Sequence, residues 1–547
     1  MFDAQVEIPS PTNEPVFDYR PGSIERERLK ESLAHWTEHN AEIPLIIGGR
    51  EVWTGRMGEV RCPHDHRRLL ATFHQAGPKE VERAAQAAKK AWKEWASTPA
   101  SSRAVVFRKA AELLAGKHRF SMVAATMLNQ SKTAHQSEID AACELADFFR
   151  FNTYFADLLT RVHPTSGATE LNAFDLRPLE GFVLAVSPFN FTAIGGNLAS
   201  APAMMGNVCL WKPASSVVFS NYQLMLLWQE AGLPDGVINF IPGPGSEVGQ
   251  AALSLPLLAG VHFTGATSTF NWIWTQVAHN LETYRSYPRL VGETGGKNFI
   301  VVHASAELES TATALIRGAF EYQGQKCSAA SRVYVPDTLW PELRERLVED
   351  TKTIKVGDVS DFSNFMGAVI DRPAFERITA YLRLAADSHD CKIIAGGQAD
   401  DTAGYFIQPT VVVTTNPHHR LMEEEIFGPV LTIYVYPEKK FQEILLLCDQ
   451  TSPYALTGSI CGRDRKAIDF ALSQLRFAAG NFYINDKPTG AVVGRQPFGG
   501  GRASGTNDKA GSVFNLLRWT SPRAIKENLL PPKDYRYPFM ALEESEG

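Results

Sequence analysis

The chain has 547 residues, with 54 Lys plus Arg against 60 Asp plus Glu and a formal net charge of −6. Apolar residues at 44% and charged residues at 21% exclude disorder over most of the length, and the slight acidic excess argues against a nucleic-acid or anionic-membrane surface as the main partner. No apolar run approaches the about 20 residues of a membrane span, and the seven scattered cysteines show no metal-ligand pairing and read as reduced thiols.

Residues 1–40 are polar and contain proline, and are expected to lie as an arm over the surface. Asp3, Glu7 and Glu14, with no apolar stretch beside them, speak against a secretory signal and against an acid-poor transit peptide, while a processed form stays open. A helix is predicted over 78–97, with Pro at its start and Ala- and Lys-rich turns after it; two more follow over 102–117 and 138–159. Residues 161–177, rich in Thr, Ser, Pro and Gly without a helical period, read as a protruding hairpin. From residue 181 the rhythm changes. Apolar runs at 182–187, 208–211, 237–241 and 260–263 begin at intervals of 26, 29 and 23 residues, with another at 298–302. Repeated βα spacing marks a doubly wound parallel sheet, which places ligands at the carboxyl ends of its strands. A second α/β pattern runs to 484, with strands at 332–335, 410–413, 431–435 and 457–461 and helices near 340–348, 373–386 and 464–475.

Four motifs carry possible chemistry. Gly243-Pro-Gly245-Ser-Glu-Val-Gly249 follows a predicted strand and opens a predicted helix, where bare backbone and a helix N-terminus suit phosphate. Its spacing is one residue longer than the dinucleotide fingerprint, so a plain turn fits as well. In Gln323-Gly-Gln-Lys326-Cys327-Ser328 the lysine is expected to lower the thiol pKa, although a structural cysteine is also compatible. Glu293 follows an apolar run and precedes two glycines, and burial there would tune it as a general base, against an ordinary strand-end carboxylate. Ser187-Pro-Phe-Asn190-Phe191 ends a predicted strand, where an amide can donate to a developing oxyanion.

Together the motifs say more. Asn190, Lys212, the Gly243 turn, Phe263-Thr264-Gly265, Glu293, Cys327, Glu425-Ile-Phe427-Gly-Pro and Pro497-Phe498-Gly-Gly500 occur in one order. In that order the chain resembles the aldehyde dehydrogenase superfamily, from about residue 43 to 526. The branch it is most similar to oxidises L-glutamate γ-semialdehyde. The most specific stretches are SPFNFTAIGGNL from Ser187, FEYQGQKCSAASR from Phe320 and NFYINDKPTGAVVGRQPFGGGRASGTNDK from Asn481.

The resemblance implies an α/β fold with a Rossmann-type dinucleotide-binding domain, an α/β catalytic domain and a small oligomerisation flap. The divisions it suggests are an N-terminal arm and first part of the NAD-binding domain over 1–160, a hairpin over 161–180 and a Rossmann-type core over 181–292. The catalytic domain would then span 293–484, a substrate-anchor loop 485–511 and an oligomerisation segment 512–547, with 161–177 and the tail from about 512 expected to form an intersubunit flap that completes a neighbour's sheet. It implies that Cys327 attacks the aldehyde, that Asn190 and the Cys327 N–H hold the oxyanion, and that Glu293 activates the hydrolytic water. NAD would be held by Ser187, Lys212, Gly245, Gly249, Thr264, Gly265, Glu425 and Phe427. The substrate carboxylate would lie against Ser328, Gly490 and Ala491, with Phe191 and Phe498 flanking the stem and Lys326 and Glu144 supplying charge. Glu144 sits in a predicted helix and could equally be solvated.

Ala266 and Ser215 depart from common family residues, and the missing carboxylate at 215 leaves NADP use open. No metal is implied. The alternatives are a broad-range aldehyde dehydrogenase, a CoA-acylating enzyme, which Glu293 disfavours, and a silent scaffold, which the retained nucleophile and base disfavour. A homodimer or larger homo-oligomer is expected, in a bacterial cytoplasm or, as a processed form, in a mitochondrial matrix.

Overall fold

Residues 7–541 are described by the structure, a computed structural model. Asp3, with the first six residues of the arm, and residues 542–547 of the C-terminal segment lie outside the described residues. Phe182–Val186, Val208–Lys212 and Leu258–Thr264 are buried along almost their whole length, as continuous apolar runs must be when helices cover both faces of a parallel sheet. They lie at the centre of a seven-stranded sheet ordered Arg289–Glu293, Leu258–Thr264, Phe182–Val186, Val208–Lys212, Ile238–Phe240, Leu45–Ile47, Arg50–Val52. All neighbours are parallel except the two N-terminal strands at the edge. Strand order reverses between Phe182–Val186 and Leu258–Thr264, so the loops after these two strands diverge and open a crevice at their carboxyl ends.

Asn298–Val302 forms as a strand but starts the second sheet, ordered Cys391–Ala395, Thr410–Thr414, Val430–Tyr436, Ala330–Pro336, Asn298–Val302, Thr457–Cys461, Asn481–Ile484. Only its Cys391–Ala395 edge is antiparallel.

The helix Pro78–Ser97 has the expected limits. The Gly77 N–H donates to the Glu80 carboxylate at its start, and Val81, Ala84, Ala85 and Ala88 face the core. Three expectations fail. The arm contains a helix, Ile24–Glu38, capped by Ser23 and burying only Leu29 and Leu33, too few apolar residues to show a period. Arg119–Gln130 is a further helix, and its run from Met122 to Gln130 is buried on every face, so no stripe marks it. The helix expected over 138–159 begins as a π-helical turn, Glu138–Glu144, before Leu145–Leu159 continues as α-helix. Such wide turns recur at functional sites because they redirect side chains.

The 161–177 segment is not a self-contained hairpin. Glu170–Pro178 pairs antiparallel with Thr520–Asn528 from the other end of the chain, in register from Thr520 opposite Pro178 to Asn528 opposite Glu170. The C-terminal segment also divides. Val513–Leu517 packs on Leu145–Leu159, with Leu516 and Trp519 buried, and only the strand beyond projects.

Candidate active site

Cys327 is presented by a turn with unusual backbone. After the helix Leu308–Phe320, Tyr322, Gln323 and Gly324 adopt φ of 52°, 56° and 66°. Left-handed backbone is costly for the two side-chain-bearing residues, and Gln323 holds it in place. Its Nε2 donates to the carbonyls of Ser131 (2.9 Å) and Ala368 (2.7 Å), and its Oε1 accepts from the Gly367 N–H (3.0 Å). At Gly324 a Cβ would stand 2.3 Å from the Gly428 carbonyl oxygen, so no larger residue fits. Gln325 accepts the Ile370 N–H at its side chain (2.9 Å) and the Asn190 Nδ2 at its carbonyl (3.1 Å). The Cys327 carbonyl accepts from Asn298 Nδ2 at 2.7 Å.

Carboxyl groups surround the thiol. Glu293 ends the strand Arg289–Glu293; burial raises its pKa to about 8, partly opposed by the facing Cys327 thiol. Its Oε1 has no hydrogen-bond partner among the described residues. Burial, then Glu293, Glu425 and Glu144, push the Cys327 thiol well above its ordinary value. This overturns the expectation that Lys326 lowers it. The Lys326 ammonium turns to the buried Glu321 carboxylate, 3.0 Å away, because adjacent side chains leave the backbone in different directions. The resting thiol is therefore protonated. Glu144 faces the cavity rather than bulk solvent: it is half-buried in the wall at the end of the π-helical turn, and burial, then Asp140, raise its pKa to about 8.

A cavity of about 470 Å³ joins these groups. Its wall includes Cys327, Glu293, Ser328, Glu144, Lys326, Phe191, Phe498, Gly490, Ala491 and Thr264. The Ser328 and Thr489 hydroxyls hydrogen-bond at 2.7 Å, tying the nucleophile's neighbour to the 489–491 turn. Asn190 is buried beside the cavity rather than in its wall, and among the described residues only one of its two amide hydrogens is committed, to Gln325.

Of the remaining expected residues, Ser187, Lys212 and Gly265 stand at or just after the carboxyl ends of the first sheet's strands, Gly245 and Gly249 on the helix that follows Ile238–Phe240, and Glu425 and Phe427 ahead of Val430–Tyr436 of the second sheet. Lys212 is buried without an anionic partner among the described residues, and burial lowers its pKa to about 8. Gly245 starts the helix Gly245–Leu253, and a Cβ there would lie 3.8 Å from Lys212 Nζ. A lone buried cation beside a bare helix N-terminus fits the ribose and phosphates of a dinucleotide. At Gly249 a Cβ would stand 3.3 Å from the Trp272 ring, so the glycine permits close helix packing. Ser187 Oγ accepts from Trp211 Nε1 (3.1 Å), and Gly265 follows Thr264 against the Phe263 ring. Glu425 accepts the Gly296 N–H at 2.8 Å, and Phe427 meets Phe189 edge-on with centroids 5.8 Å apart.

Sequence reasoning missed the support beneath Phe191. Asp140 accepts the N–H groups of Thr192 (3.0 Å) and Ala193 (2.8 Å), opening the helix Thr192–Met204, and pairs with Lys132 at 2.6 Å. The Lys132 ammonium lies 4.0 Å from the Phe191 ring centroid. No spacing rule exposes a pair whose partners meet across a turn and a π-helix.

The model of the aldehyde dehydrogenase family matches residues 53–525. The chain is 51% identical to the mitochondrial delta-1-pyrroline-5-carboxylate dehydrogenase of Dictyostelium discoideum, over 99% of this chain and 98% of that protein. It is 48% identical to the mitochondrial delta-1-pyrroline-5-carboxylate dehydrogenase of Homo sapiens, over 96% and 94%. Among solved structures, the Delta-pyrroline-5-carboxylate dehydrogenase from Mycobacterium tuberculosis bound with NAD matches with a TM-score of 0.96 at 49% identity, over 99% of this chain and 100% of that one. The 1-pyrroline-5-carboxylate dehydrogenase from Thermus with bound NAD matches with a TM-score of 0.90 at 31% identity, over 96% and 100%.

Proposed function

The chain belongs to the aldehyde dehydrogenase family, and from that premise we propose that it oxidises L-glutamate γ-semialdehyde, the open form of pyrroline-5-carboxylate, to L-glutamate with NAD, the second step of proline catabolism. The observation that carries the reading is one cavity that joins the Cys327–Glu293 pair to the small-residue turn at Gly490 and Ala491. A thiol and a base oxidise and hydrolyse an aldehyde; adjacent bare backbone N–H groups recognise a carboxylate at the other end of a short chain.

The Cys327 thiol passes its proton to the facing Glu293 carboxylate, which releases it to solvent, and the sulfur bonds the aldehyde carbon, forming a thiohemiacetal. The free amide hydrogen of Asn190 and the backbone N–H of Cys327 meet the oxyanion as charge develops there. When bound along Lys212, Gly245, Thr264, Glu425 and Phe427, NAD supplies the acceptor for the hydride that leaves this carbon. Glu293, tuned near pH 8 by burial, takes a proton from water, which cleaves the resulting thioester and returns Cys327. Phe191 and Phe498 hold the aliphatic stem, and Ser328 and the 490–491 backbone hold the carboxylate.

The first sheet then serves as the dinucleotide-binding domain and the second as the catalytic domain. The ribbon of Glu170–Pro178 and Thr520–Asn528, with Leu171, Phe174 and Ile525 exposed, supplies the contact for a homodimer or larger assembly. The compartment is a mitochondrial matrix in a eukaryotic cell, in keeping with the Dictyostelium and human names, or a bacterial cytoplasm.

The test is NADH formation from pyrroline-5-carboxylate beside propanal, with Cys327→Ala as control. Strong preference for the pyrroline substrate, abolished in the control, is expected. Equal turnover of propanal overturns the substrate, and no NADH from either overturns the activity.

A further inference from the structure

The N-terminal arm is part of the cavity. Asn13, Glu14, Pro15 and Val16 line the same space as Cys327 and Glu293. The strap they form is bolted down on one side. The Glu14 carboxylate pairs with both Arg119 and Arg150, and its N–H donates to Asp147 Oδ1 at 2.8 Å. The Phe17 N–H and the Tyr19 hydroxyl both donate to Glu138, at 3.0 and 2.6 Å, and the Arg119 guanidinium lies 3.8 Å from the Phe17 ring centroid.

From that base Asn13 reaches to the opposite wall. Its Nδ2 donates to Asp147 Oδ2 and to the Val493 carbonyl, both at 2.8 Å, and its Oδ1 accepts from Arg495 Nε at 2.9 Å. One amide thus spends both hydrogens and its oxygen joining the helix Leu145–Leu159 to the loop that carries Gly490 and Ala491. Besides the Thr489–Ser328 hydrogen bond at its start, the loop's other ties are its own: the N–H groups of Arg495 and Gln496 donate to the Val492 carbonyl, and the Val492 N–H donates to Gln496 Oε1.

We propose that Asn13 is a positioning residue for the amino-acid end of the substrate, and that the 13–16 strap is a selectivity element that favours an α-amino-acid semialdehyde over simple aldehydes. A carboxylate recognised by backbone N–H groups gains only when that backbone is already in place, because ordering the loop on binding subtracts from affinity. A simple aldehyde does not touch the loop and is indifferent to it. This rests on the substrate reading above.

The experiment compares the full chain with Asn13→Ala and Arg495→Ala. It measures kcat and KM for pyrroline-5-carboxylate and for propanal, together with hydrogen exchange of the amides of residues 490–493. Losing the three hydrogen bonds of Asn13 is expected to raise KM for the pyrroline substrate about tenfold, with kcat and the propanal KM shifting less than about twofold. Exchange over 490–493 is expected to accelerate. Arg495→Ala, a change at an exposed residue, is expected to move the same KM about threefold. An unchanged pyrroline KM and unchanged exchange in Asn13→Ala overturn the proposal, as does a parallel loss of kcat on both substrates, which is the signature of a merely structural brace. Should Asn13→Ala not fold, an unchanged pyrroline KM in Arg495→Ala overturns it alone. A wild-type chain that prefers propanal fails the substrate reading instead, and the exchange data still decide whether Asn13 orders the loop.

Discussion

The two sheets are built alike, each seven-stranded, mostly parallel and edged by antiparallel pairing, yet they deliver their chemical groups in different ways. In the first, Lys212, Thr264 and Glu293 are the last residues of their strands, and Ser187 comes one after Val186. The ladder that makes the strand also aims the side chain. In the second, Cys327 stands ahead of Ala330–Pro336 on a left-handed turn. Such backbone costs about 1–3 kcal/mol at each non-glycine residue and persists because Gln323 binds three backbone groups from two other segments. Precision comes from secondary structure in one region and from side-chain hydrogen bonds in the other.

Their electrostatics differ as well. The first sheet's strand ends hold a buried cation with no anionic partner among the described residues, while burial, then the neighbouring carboxyls, hold the thiol above its ordinary value.

Glu293→Gln tests the thiol side most severely. Removing the base is expected to lower kcat by about 10²–10⁴-fold, read by steady-state NADH formation, with a first-turnover burst as the thioester accumulates. Above about pH 8, where Glu293 is charged, iodoacetamide should alkylate Cys327 faster in this variant, because a charge that raises the thiol is gone. In the wild type, Glu293 is neutral below its pKa and a base above it, so kcat/KM rises as pH passes through about 8. A flat profile between pH 7 and 9 would place the controlling proton elsewhere.

Lys212→Met tests the other region. A charge-assisted contact is worth about 1.5–3 kcal/mol, so the NAD dissociation constant, by titration calorimetry, should rise roughly 10- to 100-fold. The melting temperature without NAD should hold or climb, since an uncompensated buried cation has been removed. A lower melting temperature would mean that Lys212 has a structural partner.

Gln323→Ala sharpens the comparison with the smallest change in rate. It orphans two carbonyls and an N–H and should destabilise the chain by at least about 2 kcal/mol, seen in denaturant unfolding. The expected loss of kcat is about tenfold, with NAD affinity unchanged. An equal loss of NAD affinity would show that the two regions are not positioned independently.

Much of the first sheet was legible in the chain because strands buried on both faces must be continuously apolar, as Phe182–Val186 is and as Val208–Lys212 is up to Trp211. The helix Pro78–Ser97 was legible through its proline start and its buried alanines. Arg119–Gln130 was not, since burial on all sides erases the helical period. At the site, Cys327 and Glu293 stood out by their order among glycine-rich turns, but the direction of Lys326 did not. A neighbour in sequence is not a neighbour in space when side chains alternate around a turn. Asn13 and the Lys132–Asp140 pair left no trace, because each matters only through a partner brought to it by folding.

The sequence by itself determined the residue types at the strand ends, the thiol and the carboxyl that act on an aldehyde, and the alternation of strand and helix that stacks into sheets. These are local properties, carried by periodicity, glycine placement and side-chain chemistry. Only the tertiary structure decided which cation faces which anion, that the N-terminal arm walls the cavity, and that Glu170–Pro178 pairs with Thr520–Asn528. Those contacts join segments hundreds of residues apart, and the free energy that selects them arises only once both partners leave water together.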